Sequence, residues 1–212
     1  MITTPQVERT HYDFNSYAFP GRFVSYYWQL KEVLGSSPTS ILEVGAGDRV
    51  FGNFLKSNTT ITYTSVDVAS DLMPDVVGSV LDLPFPDASF DTVCAFEVLE
   101  HLPFEQFETA VRELHRVART RVIISLPHFG PTLALSCKIP FFPKLEVAVK
   151  IPFPKTHVFN GQHYWELGKR GFPVRRIREV FKKFFTIERE FIPFENQYHR
   201  FFVLAKHSGK TV

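Results

Sequence analysis

Between residues 40 and 126, short and continuously apolar runs alternate with stretches whose apolar residues recur at helical spacing. This alternation constrains the fold more than any other feature of the chain. Ser40-Ile41-Leu42-Glu43-Val44-Gly45 reads as a buried strand entering a glycine turn. Residues 61–68 read as a second strand, 76–80 as a weak third, 90–96 as a fourth and 122–126 as a fifth, stopped by Pro127. Residues 49–55 and 104–118 between them read as helices; in the second, Phe104, Phe107, Val111, Leu114 and Ala118 follow the i, i+3, i+4 rule. An amphipathic helix over 22–34 precedes the first strand, with Gly35 as its stop. Strands that are apolar on both faces, and separated by helices, predict a parallel α/β sheet covered on both sides. Past residue 172, Pro173 opens a helix reaching Phe185, and 186–191 and 200–206 read as two closing antiparallel strands.

A length of 212 residues suits one domain, and 44% hydrophobic with 22% charged residues excludes a disordered or fibrous chain. A net charge of +2 is too mild to imply nucleic acid. Cys94 and Cys137 form neither a C-x-x-C nor a zinc spacing, so they read as free thiols and no metal site is expected. The polar N-terminus lacks a signal-peptide pattern and no apolar run could span a bilayer, so a cytoplasmic protein is expected. One count is unusual. Of 23 Phe, twelve fall in the short stretch 131–212, and five of the 15 Pro fall within 131–154.

Open parallel sheets bind ligands at the carboxyl ends of their strands. After the first strand, Gly45-Ala46-Gly47-Asp48 lets the backbone approach a ligand at the start of a helix, which suits a carboxylate or phosphate. The dinucleotide fingerprint needs a third glycine where Val50 stands. After the second strand, Asp67 lies 22 residues past Gly45, where a carboxylate can accept both ribose hydroxyls. After the third, Asp82-Leu83-Pro84-Phe85 offers a carboxylate and a backbone N–H suited to an adenine edge. After the fourth comes Phe96-Glu97-Val98-Leu99-Glu100-His101-Leu102.

These four segments in this order resemble a class I S-adenosylmethionine-dependent methyltransferase of the type-11 branch, which includes ubiquinone/menaquinone-biosynthesis-like enzymes. The resemblance is strong over 38–130 and continues by pattern over 172–206. It implies a Rossmann-like three-layer sandwich: a seven-stranded, mostly parallel sheet with an antiparallel last strand and helices on both faces. It implies S-adenosyl-L-methionine as cofactor. Glu43, Gly45, Ala46 and Gly47 match the segment holding its methionine end, Asp67 and Val68 the ribose segment, Asp82 and Leu83 the adenine contacts, and Phe96 and Glu97 the segment lining the cofactor after strand four. Arg49 departs from the pattern, standing where many members carry a small residue. A nicotinamide-dependent oxidoreductase and a non-catalytic binding module on the same fold are the alternatives.

The acceptor is expected to be a small or lipid-like molecule, with no nucleic-acid partner. His101, His128, His157 and His163 are candidate catalytic residues: the first two follow strands at the ligand edge, the others sit in a loop dense in polar and aromatic groups. His115 lies off the apolar stripe of its helix and reads as solvated surface, and Trp165 reads as core. Seven basic residues over 169–183 solvate one face of the last helix. The chain is expected to form one domain over 1–212: a helical cap (1–37), a cofactor core (38–130), a Phe/Pro-rich insertion or lid (131–165), and a final helix with its strand pair (166–212). Within the insertion, 131–154 is expected to cover the acceptor site, with peripheral membrane contact through Phe141, Phe142 and Phe153 as a further option.

Overall fold

The structure, a computed structural model, describes residues 7–153 and 155–207. The first six residues of the expected cap, Pro154 of the expected insertion and residues 208–212 lie outside the described residues. A 3-10 turn (Arg9–Tyr12) and a one-turn helix α1 (Phe14–Tyr17) lead into α2 (Pro20–Leu34). Next come β1 (Ser40–Val44), α3 (Val50–Asn58), β2 (Thr62–Asp67), β3 (Val76–Val77), β4 (Phe90–Phe96), α4 (Phe107–Val117) and β5 (Ala118–Pro127). The chain continues through β6 (Thr132–Cys137), β7 (Leu145–Lys150), α5 (Val174–Phe184), β8 (Phe185–Phe191) and β9 (His199–Lys206).

Seven strands form one sheet in the order β3-β2-β1-β4-β5-β9-β8. β1 lies between β2 and β4 and is parallel to both, whereas β9 runs antiparallel to β5 and β8. This is the Rossmann-like three-layer arrangement expected from the strand pattern and the resemblance.

Successive strand residues bury on opposite faces. Leu42, Val93, Ile124 and Phe202 pack with Phe107, Val111 and Leu114 of α4 and Ile177 and Phe181 of α5. Their neighbours Ile41, Cys94, Ile123 and Phe201 pack with Val33 of α2 and Phe51 and Leu55 of α3. Burial on both sides is why these strands read as unbroken apolar runs. Trp165 is fully buried, and its Nε1 donates to the Leu102 carbonyl at 3.1 Å. On α5 the basic face is partly ion-paired, Arg178 with Glu190 at 2.6 Å and Lys183 with Glu108 at 2.7 Å.

Three expectations need correction. The expected 104–118 helix begins as a 3-10 turn (Phe104–Gln106) and stops at Val117, so Ala118 already belongs to β5. His115 is half-buried, with its ring 5.2 Å edge-on from Phe185, and burial lowers its pKa to about 4. The 131–154 insertion is an antiparallel hairpin of β6 and β7, apart from the main sheet. Its register places Leu133 opposite Val149, Leu135 opposite Val147 and Cys137 opposite Leu145, so one face is wholly apolar. That face is exposed, Leu133 at 67% and Leu135 at 63%, and so are Phe141 and Phe142 at the turn.

The root of the hairpin is tied to the sheet through His128. Its backbone N–H donates to the Tyr198 carbonyl at 2.6 Å, and its Nδ1 accepts from Arg200 Nε at 3.0 Å. Burial first, then the charges of Arg200 and Lys150, lowers its pKa to about 3. The unfolded chain, with an ordinary histidine pKa of about 6.5, therefore takes up this proton before the folded one does. Stability contributed by neutral His128 is complete above pH 6.5 and drains away as the pH falls towards 3. Urea midpoints measured across that range should fall less steeply for His128→Asn than for the parent; parallel slopes would contradict this assignment.

Candidate active site

A cavity opens at the carboxyl ends of β1, β2 and β4, and Glu43, Gly45, Ala46, Gly47, Asp67, Val68, Phe96 and Glu97 all line it. The turn after β1 depends on backbone that favours glycine. Gly45 has φ +81°, and a Cβ there would lie 2.3 Å from Val98 Cγ2. Gly47 has φ +51°, and Arg49, also left-handed at φ +65°, precedes the first turn of α3. Arg49 does not line the cavity. Asp48 fixes the turn by accepting from the Val50 N–H at 3.1 Å and from the Tyr26 hydroxyl.

The carboxylates here are held in unusual states. Glu43 is buried and accepts from the Tyr63 hydroxyl; burial outweighs that bond and pushes its pKa up to about 8. Asp67 accepts the Ala69 N–H at 2.9 Å, yet burial still raises its pKa, and it makes no ion pair among the described residues. Glu97 has φ +55°, and burial pushes its carboxyl up to about 8. Its Oε2 lies 3.5 Å from His199 Nε2.

Sequence reasoning missed the opposite wall. Tyr12, Tyr17, Arg22 and Tyr26, from the N-terminal turn, α1 and α2, line it. Tyr12 and Tyr17 meet edge-to-face at 4.8 Å, and the Arg22 guanidinium lies 4.2 Å from the Tyr17 ring centre. Tyr198 and His199 also line the cavity. His199 is buried; its Nδ1 lies 2.7 Å from Ser25 Oγ, which accepts from Asn196 Nδ2 at 2.9 Å. The arrangement satisfying all three groups has Ser25 donating to His199 Nδ1, which leaves the ring proton on Nε2, facing Glu97. No motif contains these residues, and only the antiparallel placement of β9 brings His199 here.

Of the candidate catalytic histidines, His101 and His163 line the cavity and meet edge-to-face at 5.0 Å. His128 and His157 do not line it. His128 is engaged by Arg200, and His157 Nε2 donates to the His163 carbonyl at 2.8 Å, bracing that loop from behind. Asp82 and Leu83 are also off the cavity: the Leu83 N–H donates to Glu113 at 3.0 Å, and the lining on this side comes from Gly78 and Val80. No residue of 131–153 lines the cavity, whereas Gln162 and His163, later in the insertion, do.

The glycine turn, the carboxylate ending the second strand and their place where the strand order reverses, between β1 and β4, are the features of a nucleotide-type ligand site on a class I methyltransferase fold. Residues 42–126 match the family model described as a methyltransferase domain, and the chain therefore carries an S-adenosylmethionine-dependent methyltransferase domain. Three solved structures share the fold. The PH0226 protein of Pyrococcus horikoshii OT3 is 15% identical, with 95% of this chain and 97% of that one covered and a TM-score of 0.62. Magnesium protoporphyrin IX methyltransferase from Synechocystis PCC 6803, solved with S-adenosylhomocysteine, is also 15% identical, covering 88% and 84%, with a TM-score of 0.61. The 1,6-didemethyltoxoflavin-N1-methyltransferase of Burkholderia thailandensis is 17% identical, covering 96% and 92%, with a TM-score of 0.58. No curated protein matches the sequence. No helix among the described residues is long and apolar enough to cross a membrane.

The contact between Gly45 and Val98 makes a direct prediction. Gly45→Ala should cost about 1–2 kcal/mol from its left-handed backbone alone, and more from the clash with Val98. In a Val98→Ala background the clash part should vanish, so the cost should shrink. Equal costs in both backgrounds, read by urea denaturation, would show that the close approach does not govern the turn.

Proposed function

We propose that the chain transfers the methyl group of S-adenosylmethionine to a small-molecule or lipid-like acceptor, and that the cavity at the ends of β1, β2 and β4 holds both. The observation carrying this reading is that Gly45, Gly47, Asp67 and Glu97 face one cavity, with Asp67 unpaired by any cation among the described residues. Asp67 would accept the ribose hydroxyls. The turn of Gly45 and Gly47 at the start of α3 would receive the methionine carboxylate, and Glu43 sits beneath that turn. Gly78 and Val80, rather than Asp82 and Leu83, would flank the adenine. The family match over 42–126 favours this reading over the oxidoreductase alternative.

The cofactor brings an already activated sulfonium methyl. The protein's task is then to orient the acceptor and exclude water, and positioning supplies most of the acceleration. Tyr12, Tyr17 and Tyr198 close the cavity with aromatic surface, while Glu97 and His199 fix polar groups at its inner end. Hydrogen bonds to a charged group contribute about 1.5–3 kcal/mol each. Asp67→Ala should therefore weaken S-adenosylhomocysteine binding by about tenfold or more in calorimetry, and Asp82→Ala should leave it unchanged. Equal affinity in Asp67→Ala and the parent protein would remove Asp67 from the site.

The hairpin supports the lipid-like end of the acceptor range and a peripheral membrane contact. An isolated two-stranded hairpin is marginal in water and needs another layer against its apolar face. Leu133, Leu135, Leu145, Val147 and Val149 supply that face, and Phe141 projects fully exposed from the turn. Lys138, Lys144, Lys150 and Lys155 surround it against a single acid, Glu146, which matches an anionic lipid surface. The protein should sediment with vesicles rich in anionic lipid. A Phe141→Ser, Phe142→Ser double variant should lose most of that binding and keep its affinity for S-adenosylhomocysteine. Failure of the parent protein to bind such vesicles would overturn the contact.

A further inference from the structure

We propose that Glu100, His101 and His163 form a binding site for one divalent first-row transition-metal ion in the cavity wall, where the two histidines line the cavity and Glu100 is buried beside them. One ligand atom from each lies within 4.8 Å of the others. His101 follows Glu100 directly in the 3-10 turn after β4, and His163 arrives from the loop before α5.

Glu100 supplies the observation that points to a ligand. It is fully buried, and neither of its carboxylate oxygens has a hydrogen-bond partner among the described residues. Buried carboxylates are ordinarily paired or coordinate metals. The neighbouring group is His163 Nε2, 4.0 Å from Glu100 Oε1, too long for a hydrogen bond. A tetrahedral ion with ligand bonds of about 2.1 Å holds its ligand atoms about 3.4 Å apart. Binding an ion would draw these atoms together from separations of up to 4.8 Å.

The surroundings of both imidazoles fit the same role. His163 Nδ1 lies 3.1 Å from Glu166 Oε1, and His101 Nδ1 lies 3.1 Å from the Gln162 carbonyl oxygen. Since each partner is an acceptor, each Nδ1 carries the proton, and Nε2 is the nitrogen with the lone pair. Metal-bound histidines are held in this way, their second nitrogen donating to a carboxylate or a carbonyl. Glu166 is itself anchored, 3.9 Å from Lys169 Nζ.

The donor set selects the ion. Two imidazoles and one carboxylate suit zinc, iron, cobalt or nickel, whereas magnesium and calcium prefer all-oxygen sites. Three protein ligands leave a coordination position open towards the cavity. An acceptor oxygen or nitrogen bound there would be oriented beside the groups already described. This site stands independently of the assignments made for Asp67 and the glycine turn.

The test uses the full-length protein, stripped with chelator and titrated with Co²⁺ and Zn²⁺, without cofactor. Calorimetry should show one equivalent bound, and Co²⁺ should give visible absorption bands of a nitrogen- and oxygen-ligated ion. His163→Gln should abolish the bands. Glu166→Gln, which removes only the carboxylate behind His163, should weaken binding about ten- to hundredfold. Glu100→Gln should abolish binding, with retained S-adenosylhomocysteine binding as the check that this variant folds. Absence of stoichiometric binding by the parent protein overturns the proposal, as does binding that His163→Gln leaves unchanged. S-adenosylhomocysteine affinity measured on the stripped protein separates this outcome from failure of the cofactor reading.

Discussion

The approach of Gly45 to Val98 is the constraint on which the site depends. β1 and β4 are neighbours in the sheet, and each ends in a loop that must bend away to leave room for a ligand. A side chain at residue 45 would occupy the space of Val98 Cγ2. With hydrogen in its place the two loops interlock. The Gly45 N–H donates to the Val66 carbonyl at 2.8 Å, which ties the same turn to β2. Three strand ends are thereby set against one another, and Asp67, Glu97 and the start of α3 inherit their positions from that arrangement. Beside the glycines, which adopt left-handed backbone freely, Arg49 and Glu97 are left-handed as well, and there the conformation is strain concentrated at the ends of these strands.

Charge follows from the same geometry. Packing these loops together buries Glu43, Asp67 and Glu97 along the cavity and Glu100 next to its lining residue His101, and burial raises the pKa of each. Arg22 is the one arginine or lysine lining the cavity among the described residues. A cavity of this kind favours a cationic occupant, which replaces lost hydration and stabilises the ionised carboxylates. A sulfonium cofactor and a metal ion both meet that description.

The central strands were legible because burial on both faces leaves an unbroken apolar signature, as in Val122-Ile123-Ile124. Asp67 was legible by its distance from the first glycine. Asp82 and Leu83, which the resemblance assigns to the adenine, lie off the cavity: β3 is only two residues long, and the chain then turns back on itself through a bridge between Ser79 and Asp82, so Gly78 and Val80 line the cavity instead. The hairpin hid for a different reason. Its alternation is genuine, but the apolar face is exposed, and Pro and Phe at the turn obscure the period. Tyr12, Tyr17, Arg22 and His199 belong to no motif. Their role comes from contacts with residues far along the chain, which no local pattern encodes.

The N-terminal wall of the cavity has a kinetic meaning. Neither the Arg9–Tyr12 turn nor α1 contains a buried residue. The segment is fastened by ring edges, by Arg22 over Tyr17 and by the Arg9 N–H on Asp71 at 2.8 Å. Opening it breaks none of the core packing, so its local free energy sits far below that of global unfolding. Ligand residence time is then set by the peeling of a few tyrosines rather than by the stability of the sheet. A wall built this way can part from the strand ends through residues 9–17 alone, leaving the packing of the sheet intact.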